Sequence, residues 1–369
     1  MTRAIGLYLH IPFCASKCAY CDFPSYAGKD VLMGEYVDRM MVEMNARRGD
    51  YSVETAYIGG GTPSLLPPDL MARLLTGARA AFCFSENAEI TCEVNPGTAT
   101  NEFLSVLRAH GVNRLSMGAQ AAQTRLLKTL GRIHDWADVE RTFSLARGAG
   151  CDNISLDLML GLPSQTLADV RETLEKAVAL KPRHVSCYGL IVEEGTRLKT
   201  LVDQGQWTLP DEDAEREMYE VARDFLAENG YCQYEISNFA QPGYECRHNV
   251  DCWRRREYIG VGAAACGFLG KLRYRNPPVI EDYLRFAQPE ITRLTPEDER
   301  FESVMLGLRM TKGLSESDFE RMHGVSLRDM YGKQAEAPFA QGLLEWRDGC
   351  LRLTRRGMDV QNAVLLNFL

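Results

Sequence analysis

Three cysteines that stand close together, Cys14, Cys18 and Cys21, are the residues of this chain with the clearest capacity for chemistry; its other nine cysteines are scattered. Thiolates are soft ligands that suit zinc or iron–sulfur clusters. A structural zinc site takes four protein ligands, usually as two spaced pairs, whereas this loop offers three and no obvious local fourth. A cubane cluster on three thiolates keeps one iron open, as a reactive site requires. The spacing therefore favours a [4Fe–4S] cluster, with zinc as the alternative.

Glycines and polar residues mark the ends of several predicted strands. A glycine run lets the backbone approach a ligand closely, although taken alone such a run is more commonly explained by a tight turn. An acid within an apolar strand, such as Asp157, is costly to bury unless it is paired, and Arg132 is a possible partner. Because the carboxyl ends of parallel strands meet at one edge, these residues are expected to share a site. They are Gly60, Gly61, Thr62, Glu93, Gln120 and Asp157.

The elements that must position these residues alternate between strand and helix in the first half of the chain. Such alternation predicts a parallel sheet with helical crossovers. Six units form a partial (β/α)6 barrel in an α/β fold, or a doubly wound sheet if it does not curl. The predicted strands are 5–11, 55–58, 88–94, 113–118, 153–160 and 184–190. The predicted helices are 30–48, 67–82, 99–110, 121–130, 136–149 and 166–180.

The pattern changes after about residue 205. A polar helix is predicted over 211–229, followed by short strands around 234–239 and 269–274. The chain is mostly helical from about 295, and 342–357 is typical of a helix end, a hairpin and a helix start, as in a winged helix. We therefore divide the chain into a partial barrel (1–205), a smaller α+β region that completes the core (206–290) and a C-terminal helical, winged-helix-like module (291–369).

Composition limits the class of protein. The 369 residues are 45% hydrophobic with a net charge of −8, which is typical of a globular chain and argues against a nucleic-acid partner, because phosphate binding needs basic excess. The sequence has no apolar run of signal-peptide or membrane-span length. These features predict a cytoplasmic protein without a membrane span.

The C-x3-C-x2-C loop after the first strand resembles the signature of the radical S-adenosylmethionine (SAM) superfamily. By that resemblance, the open iron binds the amino and carboxylate groups of SAM. An electron from the cluster then cleaves SAM to a 5′-deoxyadenosyl radical. The glycine run at Gly60 and Gly61, with Thr62, resembles the superfamily motif that cradles the methionine amino group.

Longer motifs are similar to those of the oxygen-independent coproporphyrinogen III oxidase family, and the similarity covers nearly the whole chain. They are HIPFC at 10–14, YIGGGTPS at 57–64, EVNP at 93–96, RLSMGAQ at 114–120, LGR at 130–132 and LGLPSQT at 160–166. The resemblance implies that SAM is contacted by Tyr8, Tyr20, Gly60, Gly61, Thr62, Glu93, Gln120, Arg132, Asp157 and Gly189, with Cys266 also near SAM.

Within that family the chain resembles the heme chaperone branch more than the oxidases. Oxidases carry a further cysteine two residues after the third, where this chain has Phe23, and they carry an N-terminal extension. The heme chaperone branch has a His-Asn-x-x-Tyr-Trp motif, matched here from His248 to Trp253 except that Cys252 replaces the tyrosine. Cys266 stands where that branch usually has histidine.

The resemblance implies a chaperone that binds the cluster and SAM and delivers heme to a recipient protein. Its partners would be heme or a porphyrinogen, the recipient, and an electron donor. His248 is a candidate axial ligand of heme iron or a structural histidine, and Arg254, Arg255 and Arg256 are candidates for the heme carboxylates or form a solvated turn. Cys246, His248 and Cys252 are an alternative set of zinc ligands. The alternative functions are an oxidase that decarboxylates coproporphyrinogen III propionates to vinyl groups, and a zinc-dependent interaction module built on the C-terminal winged helix.

Overall fold

The computed structural model describes residues 2–369. The strands, in chain order, are β1 (Arg3–Ile11), β2 (Phe13–Cys14), β3 (Tyr26–Ala27), β4 (Tyr51–Gly60), β5 (Cys83–Val94), β6 (Arg114–Gln120), β7 (Ile154–Leu160), β8 (His184–Gly189), β9 (Cys232–Gln233), β10 (Asn238–Ala240), β11 (Tyr258–Val261), β12 (Cys266–Leu269), β13 (Leu272–Arg275), β14 (Glu290–Arg293), β15 (Leu314–Ser315), β16 (Leu344–Arg347) and β17 (Cys350–Leu353).

The helices, in chain order, are α1 (Met33–Ala46), α2 (Pro68–Ala81), α3 (Asn101–Ala109), α4 (Thr124–Leu130), α5 (Trp136–Gly148), α6 (Leu167–Ala179), α7 (Arg197–Asp203), α8 (Glu212–Glu228), α9 (Arg247–Trp253), α10 (Ile280–Leu284), α11 (Pro296–Gly307), α12 (Glu316–His323), α13 (Leu327–Ala340), α14 (Arg355–Asp359) and α15 (Gln361–Leu365). Across residues 2–369, none of them combines the length and the apolar character that crossing a bilayer demands.

The six predicted strands of the first half form a parallel sheet in the order β1-β4-β5-β6-β7-β8. Helices cross over between successive strands, and two of them, α4 and α5, share the connection from β6 to β7. Side chains alternate between the two faces of each strand. In β7, Leu156 and Leu158 join the hydrophobic core, whereas Ser155, Asp157 and Met159 line a cavity.

The cavity distinguishes a curled sheet from a flat one. Inward-facing residues from β4, β5, β6, β7, β8 and β10 line one space of about 470 Å³, so the sheet wraps around it as a barrel does. The outermost strands of the sheet are β14 and β9, and they are not neighbours in its strand order. The fold is therefore the predicted partial barrel rather than a doubly wound sheet.

Both edges of the parallel sheet are extended by residues after 205. On one side β11 pairs in parallel with β1, and β12, β13 and β14 follow antiparallel. On the other side β10 and β9 pair antiparallel beyond β8. The strands predicted at 234–239 and 269–274 are wrong in detail: 234–237 turns between β9 and β10, and 269–274 spans a hairpin whose turn contains Gly270 at φ +61°.

The C-terminal residues form a second buried cluster that runs from Val304 to Phe368. A three-stranded sheet, β15-β17-β16, packs with α11, α12 and α13, and the predicted helix–hairpin–helix order over 342–357 is confirmed. Arg309 joins this part to the barrel through an ion pair with the fully buried Glu235. The domain boundaries at 205/206 and 290/291 stay predictions.

Helix α9 is fixed beside the barrel interior by one carboxylate. Glu89 on β5 accepts hydrogen bonds from the backbone N–H groups of Arg247 and His248, at 3.1 Å each, and from the thiol of Cys246. The first N–H groups of a helix have no partner within it, so a carboxylate here caps the helix. The side chain of Glu89 thereby sets where α9 begins.

We predict that Glu89→Ala lowers the free energy of unfolding by about 2–4 kcal/mol, because the buried His248 N–H and the partly buried Arg247 N–H lose their acceptor. Urea denaturation followed by circular dichroism measures the change. Glu89→Gln keeps one acceptor oxygen and is the matched control, for which a smaller loss is expected. Equal stability of Glu89→Ala and the unmodified protein would contradict the capping role.

Candidate functional site: a thiol-lined cavity at the mouth of the barrel

The cysteine loop leaves the end of β1 and folds back over the mouth of the barrel. Cys14 is buried, and Cys18 and Cys21 are half-buried. The loop is held in place by short parallel pairing of Phe13 and Cys14 with Tyr26 and Ala27. All three thiols line one cavity of about 200 Å³.

Each thiol has a polar neighbour. The Thr62 hydroxyl donates to Cys14 Sγ at 3.7 Å, and Arg132 Nη1 donates to Cys18 Sγ at 3.7 Å. Cys21 Sγ lies 3.9 Å from the Ser25 hydroxyl. Hydrogen-bond donors beside sulfur favour the thiolate form and tune a cluster that the thiolates hold.

Burial raises the pKa of the Cys14 and Cys21 thiols, which favours their protonated form when no metal is bound. Metal binding at such thiols displaces protons, so cluster assembly is expected to be pH-dependent. Three thiols from one loop around one cavity, with hydrogen-bond donors at their sulfur atoms, fit a cluster.

The structure does not support a site for a single metal ion such as zinc. Throughout residues 2–369, no group of three Cys, His, Asp or Glu side chains is arranged to bind one ion. This includes the set of Cys246, His248 and Cys252.

The glycine run at the end of β4 packs directly against the cysteine loop. Gly61 N–H donates to the Ile11 carbonyl and Thr62 N–H to the Phe13 carbonyl, both at 2.8 Å. Gly60 has φ +115°, and a side chain there would meet the His10 ring at 2.5 Å. The close approach to His10 therefore requires glycine at this position, whether or not a ligand binds.

Glu93 closes the inner side of the same cavity. Its carboxylate accepts a hydrogen bond from the Tyr57 hydroxyl at 2.9 Å and from Gly60 N–H at 3.0 Å. Burial, together with the nearby Asp157, raises the pKa of Glu93 to about 7, although the Tyr57 hydrogen bond opposes that shift. Glu93 therefore changes charge near neutral pH.

Asp157 and Arg132 lie across the cavity. Asp157 accepts from the hydroxyls of Ser116 and Ser155, at 3.0 and 3.2 Å, and burial still raises its pKa. Arg132 Nη2 donates to Gly118 O at 2.7 Å and to Asn95 at 2.9 Å. The two residues are not paired with each other, so the partnership expected from the sequence is wrong; each has hydrogen bonds of its own.

The structure brings most of the predicted SAM residues together. The cavity that holds the thiols is also lined by Tyr8, Tyr20, Gly60, Gly61, Thr62, Glu93, Gln120, Arg132 and Asp157. Gly189 lines the adjoining 470 Å³ cavity. Cys266 lies on β12, is exposed and lines neither cavity. Burial raises the pKa of Tyr8, with smaller contributions from Glu93 and Cys266.

The larger cavity contains residues that the sequence reasoning did not assign to a site. Arg114 is 2% exposed and lines this cavity, and its Nε has no hydrogen-bond partner within residues 2–369. His184 lines it too and bonds Ser155 at 2.8 Å and Tyr234 at 2.8 Å. The alternation of Arg114, Ser116 and Gly118 on a strand that is otherwise apolar was the available signal.

The candidate heme residues are dispersed. His248 is buried, and its Nδ1 lies 3.0 Å from the Thr55 hydroxyl; burial lowers the pKa of His248 to about 4, which keeps it neutral. Arg255 is paired with Glu299 and Glu302. Arg256 is paired with Asp251, and Arg254 is exposed.

We predict that Cys18→Ala, like Cys14→Ala or Cys21→Ala, reduces bound iron to background after anaerobic reconstitution, because two thiolates cannot hold a cubane with one open iron. Iron analysis and the visible spectrum measure the loss. Cys83→Ala removes an exposed cysteine elsewhere in the chain and should keep its iron. Normal iron content in Cys18→Ala would overturn the ligand assignment.

We further predict that SAM affinity rises about 10-fold from pH 6 to pH 8, since the cationic sulfonium favours ionised Glu93 and a proton must leave that carboxyl below its pKa of about 7. Calorimetric titration of cluster-loaded protein measures the profile. Glu93→Gln should lose the component centred near pH 7, and Tyr57→Phe should move it upward. Identical profiles for Glu93→Gln and the unmodified protein would contradict the assignment.

Comparisons with known proteins agree with this geometry. Residues 8–177 match the family model for the radical SAM superfamily, and residues 294–360 match the model for the HemN C-terminal domain. The coproporphyrinogen III oxidase HemN of Escherichia coli has a TM-score of 0.86 and 24% identity, over 99% of this chain and 90% of that one. That similarity shows the fold.

Sequence relatives of similar length share more identity. The heme chaperone HemW of Lactococcus lactis is 37% identical, over 98% of this chain and 96% of the relative. Those of Bacillus subtilis and Escherichia coli are each 36% identical, over 98% and 99% of this chain and 98% of each relative. This chain therefore belongs to the HemW family of radical SAM proteins.

Proposed function

We propose that this protein is a heme chaperone that binds a [4Fe–4S] cluster and SAM in its barrel, takes up heme and delivers it to a recipient protein. The observation that carries the proposal is identity of 36–37% with three proteins named heme chaperones, over nearly the full length of each. Phe23, at the position of the further cysteine in oxidases, also favours it.

The barrel residues bind and orient SAM in this proposal. The cluster, when bound, supplies the electron that can cleave SAM, and an electron donor protein is needed to reduce it. The N–H groups of Gly60, Gly61 and Thr62 are already bonded within the protein, so Gly60 and Gly61 would offer carbonyl oxygens to the methionine amino group. Glu93 and Asp157 offer carboxylates to a cationic ligand, and Arg132 remains beside Cys18 at the rim.

Heme uptake draws on a different part of the chain. His248 is enclosed and bonded to Thr55, an arrangement that supports its structural role over iron ligation. In the arginine triplet, the guanidinium of Arg255 is committed to two glutamates. Arg254 is the member whose side chain is exposed without a salt-bridge partner in residues 2–369, and it is the best placed for a heme carboxylate.

The enzymatic alternative, oxidation of coproporphyrinogen III, has one observation in its favour. The 470 Å³ cavity adjoins the thiol-lined one and contains the buried Arg114 guanidinium, which could bind a propionate. An oxidase would place a propionate chain there, within reach of SAM. The two functions therefore differ in where a tetrapyrrole binds and whether it is changed.

An anaerobic experiment separates them. We expect reconstituted protein with SAM and a reductant to bind hemin stoichiometrically, with a shifted Soret band, and to leave coproporphyrinogen III unchanged by chromatography. Cys18→Ala is the control that removes the cluster but not the proposed heme residues. Formation of protoporphyrinogen would make the protein an oxidase, and failure to bind hemin would overturn the chaperone proposal.

A further inference from the structure

A third cavity, of about 530 Å³, lies outside the barrel and takes no part in the site described above. One wall comes from the end of α9 and the residues after it, Trp253 to Arg256. The facing wall comes from the C-terminal part of the chain, between Ser303 and Cys350. This volume is within the range of about 300–1,000 Å³ that is typical of small-molecule sites. We refer to it as the α9 cleft.

The α9 cleft is basic in a chain whose net charge is −8. Its lining contains five cationic side chains and one acid, Asp318. Three of the cations are already neutralised: Arg255 by Glu299 and Glu302, Arg256 by Asp251 and Arg321 by Asp318.

The remaining two cations are available to a ligand. Arg254 and Lys312 are both exposed, and neither has an acidic group within 4.0 Å in residues 2–369. They come from opposite walls, Arg254 from the end of α9 and Lys312 from the loop after α11. Two uncompensated cations across one cleft suit a ligand with two acidic groups.

The uncharged part of the lining has aromatic, aliphatic and sulfur-containing side chains together with two serines and two glycines; the former are Trp253, Leu314, Met310, Met322 and Cys350. The indole of Trp253 carries the Arg309 guanidinium 4.5 Å from its ring centre, and Trp253 Nε1 is buried with no acceptor among the described residues. Met310 is buried at the cleft, whereas the thioether side chain of Met322 is 43% exposed. A ligand that covers these groups would be apolar over most of its surface.

Heme combines the properties that this cleft would select. It is a flat apolar macrocycle with two carboxylates on one edge, and its iron accepts sulfur ligands such as the thioether of methionine or the thiolate of cysteine. Met310, Met322 and Cys350 all line the cleft. The barrel interior is less suitable, since it contains the buried Glu93, Arg114 and Asp157 side chains and, in the proposed function, its mouth holds the cluster and SAM.

We propose that the α9 cleft is the heme-binding site, with the two heme propionates held by Arg254 and Lys312 and the macrocycle packed against Trp253 and the methionines. This rests on the proposed function of heme transport and names the place where the cargo is held.

Hemin titration of the double variant Arg254→Gln/Lys312→Gln tests the assignment. The dissociation constant should rise about 10- to 100-fold, because two charge-assisted contacts are lost. Lys333→Gln, which removes an exposed lysine of α13 that does not line the cleft, is the matched control and should bind hemin normally. Iron content of the cluster and circular dichroism should stay unchanged in both variants.

Hemin dimethyl ester, which lacks the propionate charges, provides a second measurement that does not depend on folding of a variant. The unmodified protein should bind the ester as weakly as the double variant binds hemin, and the double variant should not discriminate between the two. Equal affinity of the unmodified protein for hemin and its ester, or unchanged hemin binding by the double variant, would overturn the cleft assignment. Absence of hemin binding by the unmodified protein would instead overturn the proposed function.

Discussion

The contact between the end of β4 and the cysteine loop is the constraint on which the rest of the site depends. Gly61 and Thr62 donate backbone hydrogen bonds to the loop carbonyls of Ile11 and Phe13, and Glu93 accepts one from Gly60. Three strand ends are thereby joined at one point of the barrel mouth. A side chain at Gly61 would meet Phe13 O at 2.7 Å, so the thiols keep their positions only while this backbone approach is preserved.

The barrel interior has a second constraint, which is electrostatic. Glu93, Asp157 and Arg114 are charged or chargeable groups enclosed by a sheet whose other face packs into the main hydrophobic core. Burial of such groups is costly unless they are paired or hydrogen-bonded. The two acids have hydroxyl or backbone donors, and burial still raises the pKa of each. An interior of this kind is built for a polar or charged ligand, since an apolar filling would leave these groups without compensation.

The sequence predicted the barrel and its mouth well, because both depend on local patterns. Each of the six strands and the helices between them has a periodic apolar run, and the motif residues follow the strands directly. Features that depend on contacts between distant parts of the chain were harder to predict from the sequence. The Gly270 turn that splits 269–274 into a hairpin has one weak local signal. The placement of Cys266 on β12 depends on the pairing of β12 with β11 and of β11 with β1, which no local pattern reveals.

Side chains with the same identity also acquired different roles through tertiary contacts. Arg254, Arg255 and Arg256 are equivalent in sequence, but only the residues of α11 determine that Arg255 is paired twice. Arg114 and Arg132 each have an Nε without an acceptor in the described chain, but Arg132 Nη2 donates to Gly118 O and Asn95, whereas Arg114 lines the larger cavity. The number of basic residues in a motif therefore does not identify a binding site. The ion-pair and hydrogen-bond partners of each residue decide whether it is available to a ligand, and those partners come from elsewhere in the chain.

Helix α9 connects the barrel interior with the α9 cleft. Its first N–H groups are held by Glu89 beside the barrel interior, and its last residue, Trp253, borders the α9 cleft. Seven residues of helix span about 10 Å, so a short rigid element separates the residues around SAM from the residues that would hold heme. This helix positions Trp253 and Arg254 at the cleft. It does not by itself couple the cleft to the barrel interior, because such coupling requires a second arrangement of α9 with different contacts. The cap on Glu89 therefore determines the position of one wall of the α9 cleft.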